Sequence, residues 1–122
     1  MRAILLIAHG SRRAEANADL EHIAQGLRDR GESAPVVCSY LELASPTIED
    51  GGTACVERGA RDVVMLPYFL SPGVHVREDL LTARNALAER FPGVTFHLAE
   101  PLGRHPLLLD VVEARIREVA ED

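Results

Sequence analysis

Hydrophobic and polar positions follow two different patterns along this chain. Short continuous apolar runs, such as residues 3–8, are typical of strands buried on both faces of a sheet. Longer stretches repeat apolar residues every three to four positions. In residues 16–30, for example, Leu20, Ala24 and Leu27 fall on one helical face. The pattern therefore predicts buried strands that alternate with amphipathic helices.

The alternation gives four units, each a strand followed by a helix. The strands are predicted at residues 3–8, 35–40, 62–67 and 94–98, and the helices at about 16–30, 45–58, 76–90 and 106–120. Such alternation implies a parallel sheet with right-handed crossovers and helices on both faces. We therefore expect one three-layer α/β domain over residues 1–122. Its four-stranded parallel sheet is expected in the order 2-1-3-4, the most natural one for a short chain of this kind.

Three metal-binding or acid–base side chains follow strands of the predicted sheet. His9 follows the first strand, Glu42 follows the second, and His75 lies in the loop after the third. The carboxyl ends of strands one and three meet at the switch point of this topology, where ligands bind. Two imidazoles and a carboxylate suit a borderline divalent metal, and histidine also accepts protons near neutral pH. An open site of this kind suits a protein that gives its metal away.

The side chains around these residues suit a flat, anionic substrate. Arg12, Arg13 and Arg77 lie near predicted helix starts, where free backbone N–H groups also attract anions. Phe69 and Leu70 lie in an apolar loop after the third strand and would cover the face of an apolar ring. We therefore expect these five residues to bind the substrate.

Composition excludes several other classes of function. The net charge is −6 and all 13 basic residues are arginine, so Schiff-base chemistry and a Walker lysine are absent. No clustered basic face and no Trp are present, which argues against nucleic acid as a partner. Cys38 and Cys55 lack the spacing of a zinc site and are expected to be buried thiols. Without a signal peptide or membrane span, we expect a cytoplasmic protein.

Four motifs, in order along nearly the whole chain, resemble those of the short-form sirohydrochlorin chelatases of the CbiX type. They are His9-Gly10-Ser11-Arg12, Tyr40-Leu41-Glu42, residues 66–70 running into Gly73-Val74-His75, and residues 102–106. Each motif is common by itself, whereas all four in this order strongly indicate a resemblance to this family.

The resemblance implies a chelatase that inserts Co²⁺ or Fe²⁺ into sirohydrochlorin, for cobalamin or siroheme biosynthesis. In similar enzymes, the histidines that match His9 and His75 handle the metal, and a glutamate that matches Glu42 assists catalysis. The resemblance implies no cofactor beyond the divalent metal substrate. It also implies a homodimer, because the short form pairs to build a two-lobed cleft.

Other functions fit the same residues. A non-catalytic metal or tetrapyrrole carrier would use the same two histidines and release no metallated product. A flavodoxin-like binding domain would need His9 and His75 only for structure, and a phosphoryl-transfer enzyme would use His9 as its reactive group. Among the remaining histidines, His22 and His97 are expected to be structural, and His105 is expected to cap the last helix.

Overall fold

A computed structural model describes residues 1–120 and contains all four strand-then-helix units. The elements are β1 (Arg2–Ala8), α1 (Ala14–Asp29), β2 (Val36–Tyr40), α2 (Ile48–Glu57), β3 (Asp62–Pro67), α3 (Val74–Arg90), β4 (Thr95–Leu98) and α4 (Leu107–Ala120). The elements that hydrophobic periodicity predicts are therefore confirmed, with ends that shift by one or two residues at most positions.

The four strands form one parallel sheet in the order β2-β1-β3-β4, as predicted. At the end of β1, Ile7 is in register with Ser39 of β2 on one side and with Pro67 of β3 on the other. The carboxyl ends of these three strands therefore meet at one edge of the sheet. Loops that carry His9, Glu42 and the segment before His75 leave from that edge.

Helices cover the two faces of the sheet unequally. α2 and α3 lie on one face, over a core that includes the fully buried side chains of Leu5, Met65 and Phe96. α1 lies on the other face, where Leu20 packs with Leu6. Neighbouring residues of β1 thus enter opposite cores, as the two-residue period of a strand requires. The predicted three-layer arrangement is confirmed.

One boundary changes the setting of a candidate residue. The sequence predicts His75 in a loop before a helix that starts at residue 76, but α3 begins at Val74, so His75 lies in its first turn. Gly73 precedes the helix in an extended conformation, with φ −74° and ψ 176°. The helix starts directly after this Pro72-Gly73 step, with Gly73 as its N-cap residue.

α4 differs from the other three helices. Each of those packs against the sheet, whereas α4 makes no contact of similar extent with any strand or helix of residues 1–120. Its apolar side chains lie largely in solvent, among them Val111, Val112 and Ile116. α1 packs mainly on β1 and β2, and no helix of residues 1–120 covers the same sheet face over β3 and β4 to a comparable extent. Neither α4 nor any other helix of residues 1–120 is long and apolar enough to cross a membrane.

Candidate functional site

His9 and Glu42 form a close pair at the carboxyl edge of the sheet. The Nε2 atom of His9 lies 3.4 Å from Oε2 of Glu42, and each side chain is about half exposed (54% and 55%). This separation is long for a hydrogen bond. Two metal–ligand bonds of about 2.1 Å that meet at a tetrahedral angle hold their donor atoms about 3.4 Å apart. The separation of the pair therefore matches that of two ligands on one metal ion, as well as that of an ion pair.

Backbone hydrogen bonds bring the two residues together. Beyond the strand ends, the N–H of Leu41 donates to the carbonyl of Ala8 (2.9 Å), and the N–H of Glu42 donates to the carbonyl of His9 (3.0 Å). The loops after β1 and β2 thus continue side by side for two residues after the strands end. This continued pairing places the imidazole and the carboxylate on the same side of the crevice.

Gly10 allows this close approach of the two loops. Its φ is +98°, a conformation that residues with a side chain rarely adopt. A Cβ atom at this position would lie 1.8 Å from the carbonyl oxygen of Glu42. Both the backbone conformation and the lack of space therefore require glycine directly after His9.

The loop after β3 supplies an apolar wall next to this pair. The ring of Phe69 lies edge-on to the ring of His9, with 6.4 Å between the ring centroids. The carbonyl of Phe69 accepts a hydrogen bond from the N–H of Leu102 (2.9 Å), which ties this loop to the one after β4. Leu70, next in the chain, is 64% exposed. The loop therefore offers apolar surface beside His9.

His75 stands apart from the close pair. It is exposed in the first turn of α3, and no hydrogen bond or ion pair within residues 1–120 holds its ring. The described chain also contains no group of three or more His, Cys, Asp or Glu side chains arranged to hold a metal ion. The structure therefore brings His9 and Glu42 together and leaves His75 as a separate group that starts from the same edge.

The three candidate arginines differ in their surroundings. Arg12 and Arg77 are exposed, and neither makes an ion pair within residues 1–120. Arg13 is also exposed, but its guanidinium contacts the carboxylate of Glu15 at 2.9 Å. The backbone N–H group of Glu15 and this guanidinium lower the pKa of the Glu15 carboxyl. Arg12 and Arg77 thus have no ion-paired carboxylate within residues 1–120 that competes with an incoming anion.

Two recesses adjoin the candidate residues. A groove of about 430 Å³ opens between α2 and α3, and its lining includes the carboxylates Glu42, Glu49, Asp50 and Asp79. A smaller recess of about 150 Å³ includes Arg77 in its lining. The larger groove carries negative charge up to Glu42, which favours the approach of a dication.

The other histidines and the cysteines lie outside this site. Leu107 donates its N–H to Nδ1 of His105 (3.1 Å), so the predicted capping role of His105 is confirmed. His97 contacts Asp62 at 3.2 Å on the sheet. Cys38 and Cys55 are buried, as predicted, and neither forms a disulfide.

Two residues hold the His9 loop through contacts that the sequence does not show, although Tyr40 belongs to one of its motifs. The side chain of Asn17 makes two hydrogen bonds to the backbone of Ser11, and the hydroxyl of Tyr40 donates to the carbonyl of Asn17. An Asn inside a helix and a Tyr inside a strand are ordinary residues, and only the fold brings them to the loop.

Comparison with known proteins assigns the family. The sequence model of the CbiX family matches residues 3–119. The chain is 40% identical to the chloroplastic sirohydrochlorin ferrochelatase of Arabidopsis thaliana over 93% of its own length and 51% of the relative's. Among solved structures, it is similar to the sirohydrochlorin chelatase SirB of Bacillus subtilis subspecies spizizenii in complex with cobalt. That match has a TM-score of 0.86 and 29% identity, and it covers 98% of this chain and 51% of SirB.

The lengths of these relatives fall into two groups. The chain spans about half the length of two curated sirohydrochlorin ferrochelatases that it matches, from Arabidopsis thaliana and Priestia megaterium. It matches a putative cobalamin biosynthesis CbiX protein of Marinobacter aquaeolei VT8 over 97% of this chain and 96% of the other, with a TM-score of 0.84 and 29% identity. The same fold therefore occurs in chains of this length and in chains about twice as long.

Proposed function

The chain belongs to the CbiX family, and from this membership we propose that it inserts a divalent metal ion into a sirohydrochlorin-type tetrapyrrole. The observation that carries the proposal is the 3.4 Å separation between Nε2 of His9 and Oε2 of Glu42 at the carboxyl edge of the sheet. One imidazole and one carboxylate at this spacing can hold a dication and leave its other coordination positions open. The relatives are named for metal insertion into this substrate class.

His9 and His75 are proposed to handle the metal, and Glu42 to assist them. An incomplete ligand set suits this role, because the ion must exchange protein ligands for ring nitrogens. His9 and Glu42 are already paired, whereas His75 is exposed on the first turn of α3 and is available to a bound ligand. The acidic groove that ends at Glu42 gives the dication an electrostatically favourable approach.

Charge balance explains why the reaction needs proton acceptors and no resident cofactor. A dication that enters the ring replaces two pyrrole N–H protons, so no electron is transferred and no bond to phosphate is broken. The two protons must leave through nearby bases. The imidazoles of His9 and His75 and the carboxylate of Glu42 are the proposed acceptors, since each can bind a proton in its metal-free form. The divalent metal is a substrate in this scheme.

Arginine side chains and an apolar wall are proposed to bind the tetrapyrrole. Arg12 and Arg77 carry exposed guanidinium groups that can form charge-assisted hydrogen bonds with the ring carboxylates. Arg13 contributes less, because Glu15 already contacts its guanidinium. Phe69 and Leu70 offer apolar contact to the ring face beside His9. Binding the ring and the ion at one edge replaces a chance encounter in water.

Co²⁺ and Fe²⁺ are the proposed metals. Imidazole and carboxylate ligands accept both ions, so the ligand chemistry alone does not choose between them. The relatives reflect the same range, since one is a ferrochelatase and another was solved with cobalt. We also propose a cytoplasmic location, which two buried cysteines without a disulfide suit.

Two copies of the chain are proposed to pair through α4. The helix exposes an apolar face that includes Val112 and Ile116, and no helix of residues 1–120 covers the sheet face around the half-buried Val64 of β3 to a comparable extent. α4 of a second copy fits this open face, and a reciprocal exchange forms a closed symmetric pair. A contiguous exposed apolar surface of this kind usually marks an interaction site. Relatives twice as long have room for two such units in one chain.

A non-catalytic carrier is the alternative that uses the same residues. The two functions differ in turnover, because a carrier binds metal or ring in proportion to its own concentration. The experiment is anaerobic incubation of sirohydrochlorin with excess Co²⁺ or Fe²⁺ and a small amount of protein, followed by absorbance of the ring. Many equivalents of metallated product per protein, formed faster than without protein, support the enzyme. Product that never exceeds the protein-free rate would leave the carrier as the better account.

A further inference from the structure

We infer that Asn17, in the first turn and a half of α1, is a positioning residue that holds His9 in reach of Glu42. The carboxamide of Asn17 binds the loop that carries His9 through two hydrogen bonds. Its Oδ1 accepts from the N–H of Ser11 (2.9 Å), and its Nδ2 donates to the carbonyl of Ser11 (2.7 Å). One side chain therefore satisfies both backbone groups of the residue two positions after His9.

This double contact restricts the loop more than a single hydrogen bond would. The two bonds hold the peptide groups on either side of Ser11, so neither group can rotate without breaking one of them. The loop between β1 and α1 covers only residues 9–13, so the position of Ser11 restricts the backbone at His9. Without Asn17, the N–H and carbonyl of Ser11 would both lose their partner in the described chain.

Asn17 is itself held by the strand that leads to Glu42. The hydroxyl of Tyr40, a residue only 5% exposed at the end of β2, donates to the backbone carbonyl of Asn17 (3.0 Å). On the other side of the loop, the N–H of Glu42 donates to the carbonyl of His9 (3.0 Å). The His9 loop is therefore held from both sides by groups that are fixed relative to β2. This arrangement sets the distance between the imidazole and the carboxylate.

A purely structural role for Asn17 makes a different prediction. Asn17 does not cap α1, because Arg13 is the N-cap residue and makes no side-chain capping bond. If Asn17 only stabilised the fold, its loss would lower the free energy of unfolding and leave the geometry of His9 unchanged in the folded protein. If it positions His9, its loss changes the orientation of the imidazole and the affinity for metal. Residues that orient metal ligands in this way typically change affinity by about 10- to 100-fold.

The effect of Asn17 on metal binding rests on the proposed function. The contact between the rings of His9 and Phe69 can be measured without metal or substrate. The test compares Asn17→Ala and Asn17→Asp with the wild type and with Asn85→Ala. Asn17→Asp keeps the acceptor for the N–H of Ser11 and loses the donor to its carbonyl. Asn85 is an exposed asparagine on α3 that contacts Arg84 and lies outside the site, so it serves as the matched control.

The first readout is the nuclear Overhauser effect between the rings of His9 and Phe69 in the metal-free protein, and the second is Co²⁺ affinity by calorimetry. We expect the ring contact to weaken in both Asn17 variants and Co²⁺ affinity to fall about tenfold or more. In a His9→Ala background, Asn17→Ala should cause no further loss of affinity, because the two residues act through one group. Asn85→Ala should match the wild type in every readout.

An unchanged ring contact in folded Asn17 variants would overturn the inference. Loss of affinity that simply adds to the loss from His9→Ala would overturn it too, since Asn17 would then act elsewhere. A wild-type protein that inserts no metal would contradict the proposed function. The ring contact would still decide whether Asn17 positions His9.

Discussion

The imidazole of His9 and the carboxylate of Glu42 face each other across the gap between two neighbouring strand ends, with 3.4 Å between Nε2 and Oε2. Parallel pairing of β1 with β2 creates this relationship, and the hydrogen bond from the N–H of Glu42 to the carbonyl of His9 extends it beyond the sheet. Two residues on flexible surface loops would have to become ordered when metal binds. Here backbone hydrogen bonds already hold the backbones of His9 and Glu42 next to each other, which lowers the entropy cost of forming the site.

Replacement of Glu42 should therefore reduce metal insertion while the fold is kept. We expect Glu42→Gln to lower kcat/KM at least about tenfold, because the amide is a weaker metal ligand and cannot take up a pyrrole proton. Steady-state insertion of Co²⁺ measures the effect. Glu49→Gln removes a carboxylate from the same groove without touching His9 and should change the rate less than threefold. Equal losses in both variants would show that the groove's total charge matters and the pair does not.

Gly10 should be intolerant of any side chain. We expect Gly10→Ala to lower the free energy of unfolding by about 1–3 kcal/mol, because φ is +98° and the new Cβ would meet the carbonyl of Glu42. Urea denaturation followed by circular dichroism gives the value. Gly26→Ala is the matched control: it lies within α1 with no atom near its Cβ position. Gly26→Ala should raise stability by up to about 1 kcal/mol. Similar behaviour of the two variants would contradict the proposed fit of the loops.

Charged residues on α4 should separate the proposed pair of chains. Val112 and Ile116 are more than half exposed on α4 (52% and 58%). We expect Val112→Asp combined with Ile116→Asp to give a monomer, because association would then bury unpaired carboxylates. Light scattering during size-exclusion chromatography measures the mass. Leu81→Asp, at an exposed apolar residue of α3, should stay dimeric. A wild-type protein that is monomeric at micromolar concentration would contradict the pairing.

The two buried thiols should make the protein less stable in alkali. Burial, and next the charge of Glu21, raises the pKa of Cys38 to about 12, and burial raises the pKa of Cys55 to about 11. An unfolded thiol with a pKa near 9 loses its proton first. The unfolded state then binds fewer protons than the folded state, so the free energy of unfolding falls as pH rises.

The window for this loss runs from about pH 9 to about pH 11 for Cys55 and to about pH 12 for Cys38. Within it the slope is at most about 1.4 kcal/mol per pH unit for each thiol. Urea unfolding at several pH values measures the slope, and the double variant Cys38→Ala with Cys55→Ala should flatten it. A slope unchanged by the double variant would assign the alkaline loss to other groups.

Hydrophobic periodicity was sufficient to predict the four strands, the four helices and the parallel sheet with helices on both faces. Continuous apolar runs separated by amphipathic stretches leave few topologies open, and the order 2-1-3-4 was expected as the most natural one for a short chain of this kind. The same topology predicts that residues directly after β1 and β2 meet at one edge, and His9 and Glu42 do so. Backbone pairing dominates the positions of these residues, which is why a sequence pattern could predict the meeting.

Features that depend on contacts distant in sequence could not be predicted. Examples are the hydrogen bond between the side chain of Asn17 and Ser11 and the hydrogen bond from Tyr40 to Asn17. Only the three-dimensional fold shows these contacts, because neither residue type is unusual at its position. The start of α3 at Val74, which moves His75 from a loop into a helix, depends on the local backbone at Gly73. The apolar pattern of α4 predicts a helix correctly but cannot show that, within residues 1–120, its apolar face packs on no other element to a comparable extent.

The most direct test of the proposed function is the steady-state rate of Co²⁺ insertion into sirohydrochlorin by the wild type, His9→Ala and His22→Ala. His22 is an exposed histidine on α1 outside the site, so its variant controls for general loss of an imidazole. We expect the wild type and His22→Ala to exceed the protein-free rate equally, and His9→Ala to lose about 100-fold or more of the catalysed rate. Insertion by His9→Ala at the wild-type rate would contradict the assignment of His9 as the group that handles the metal.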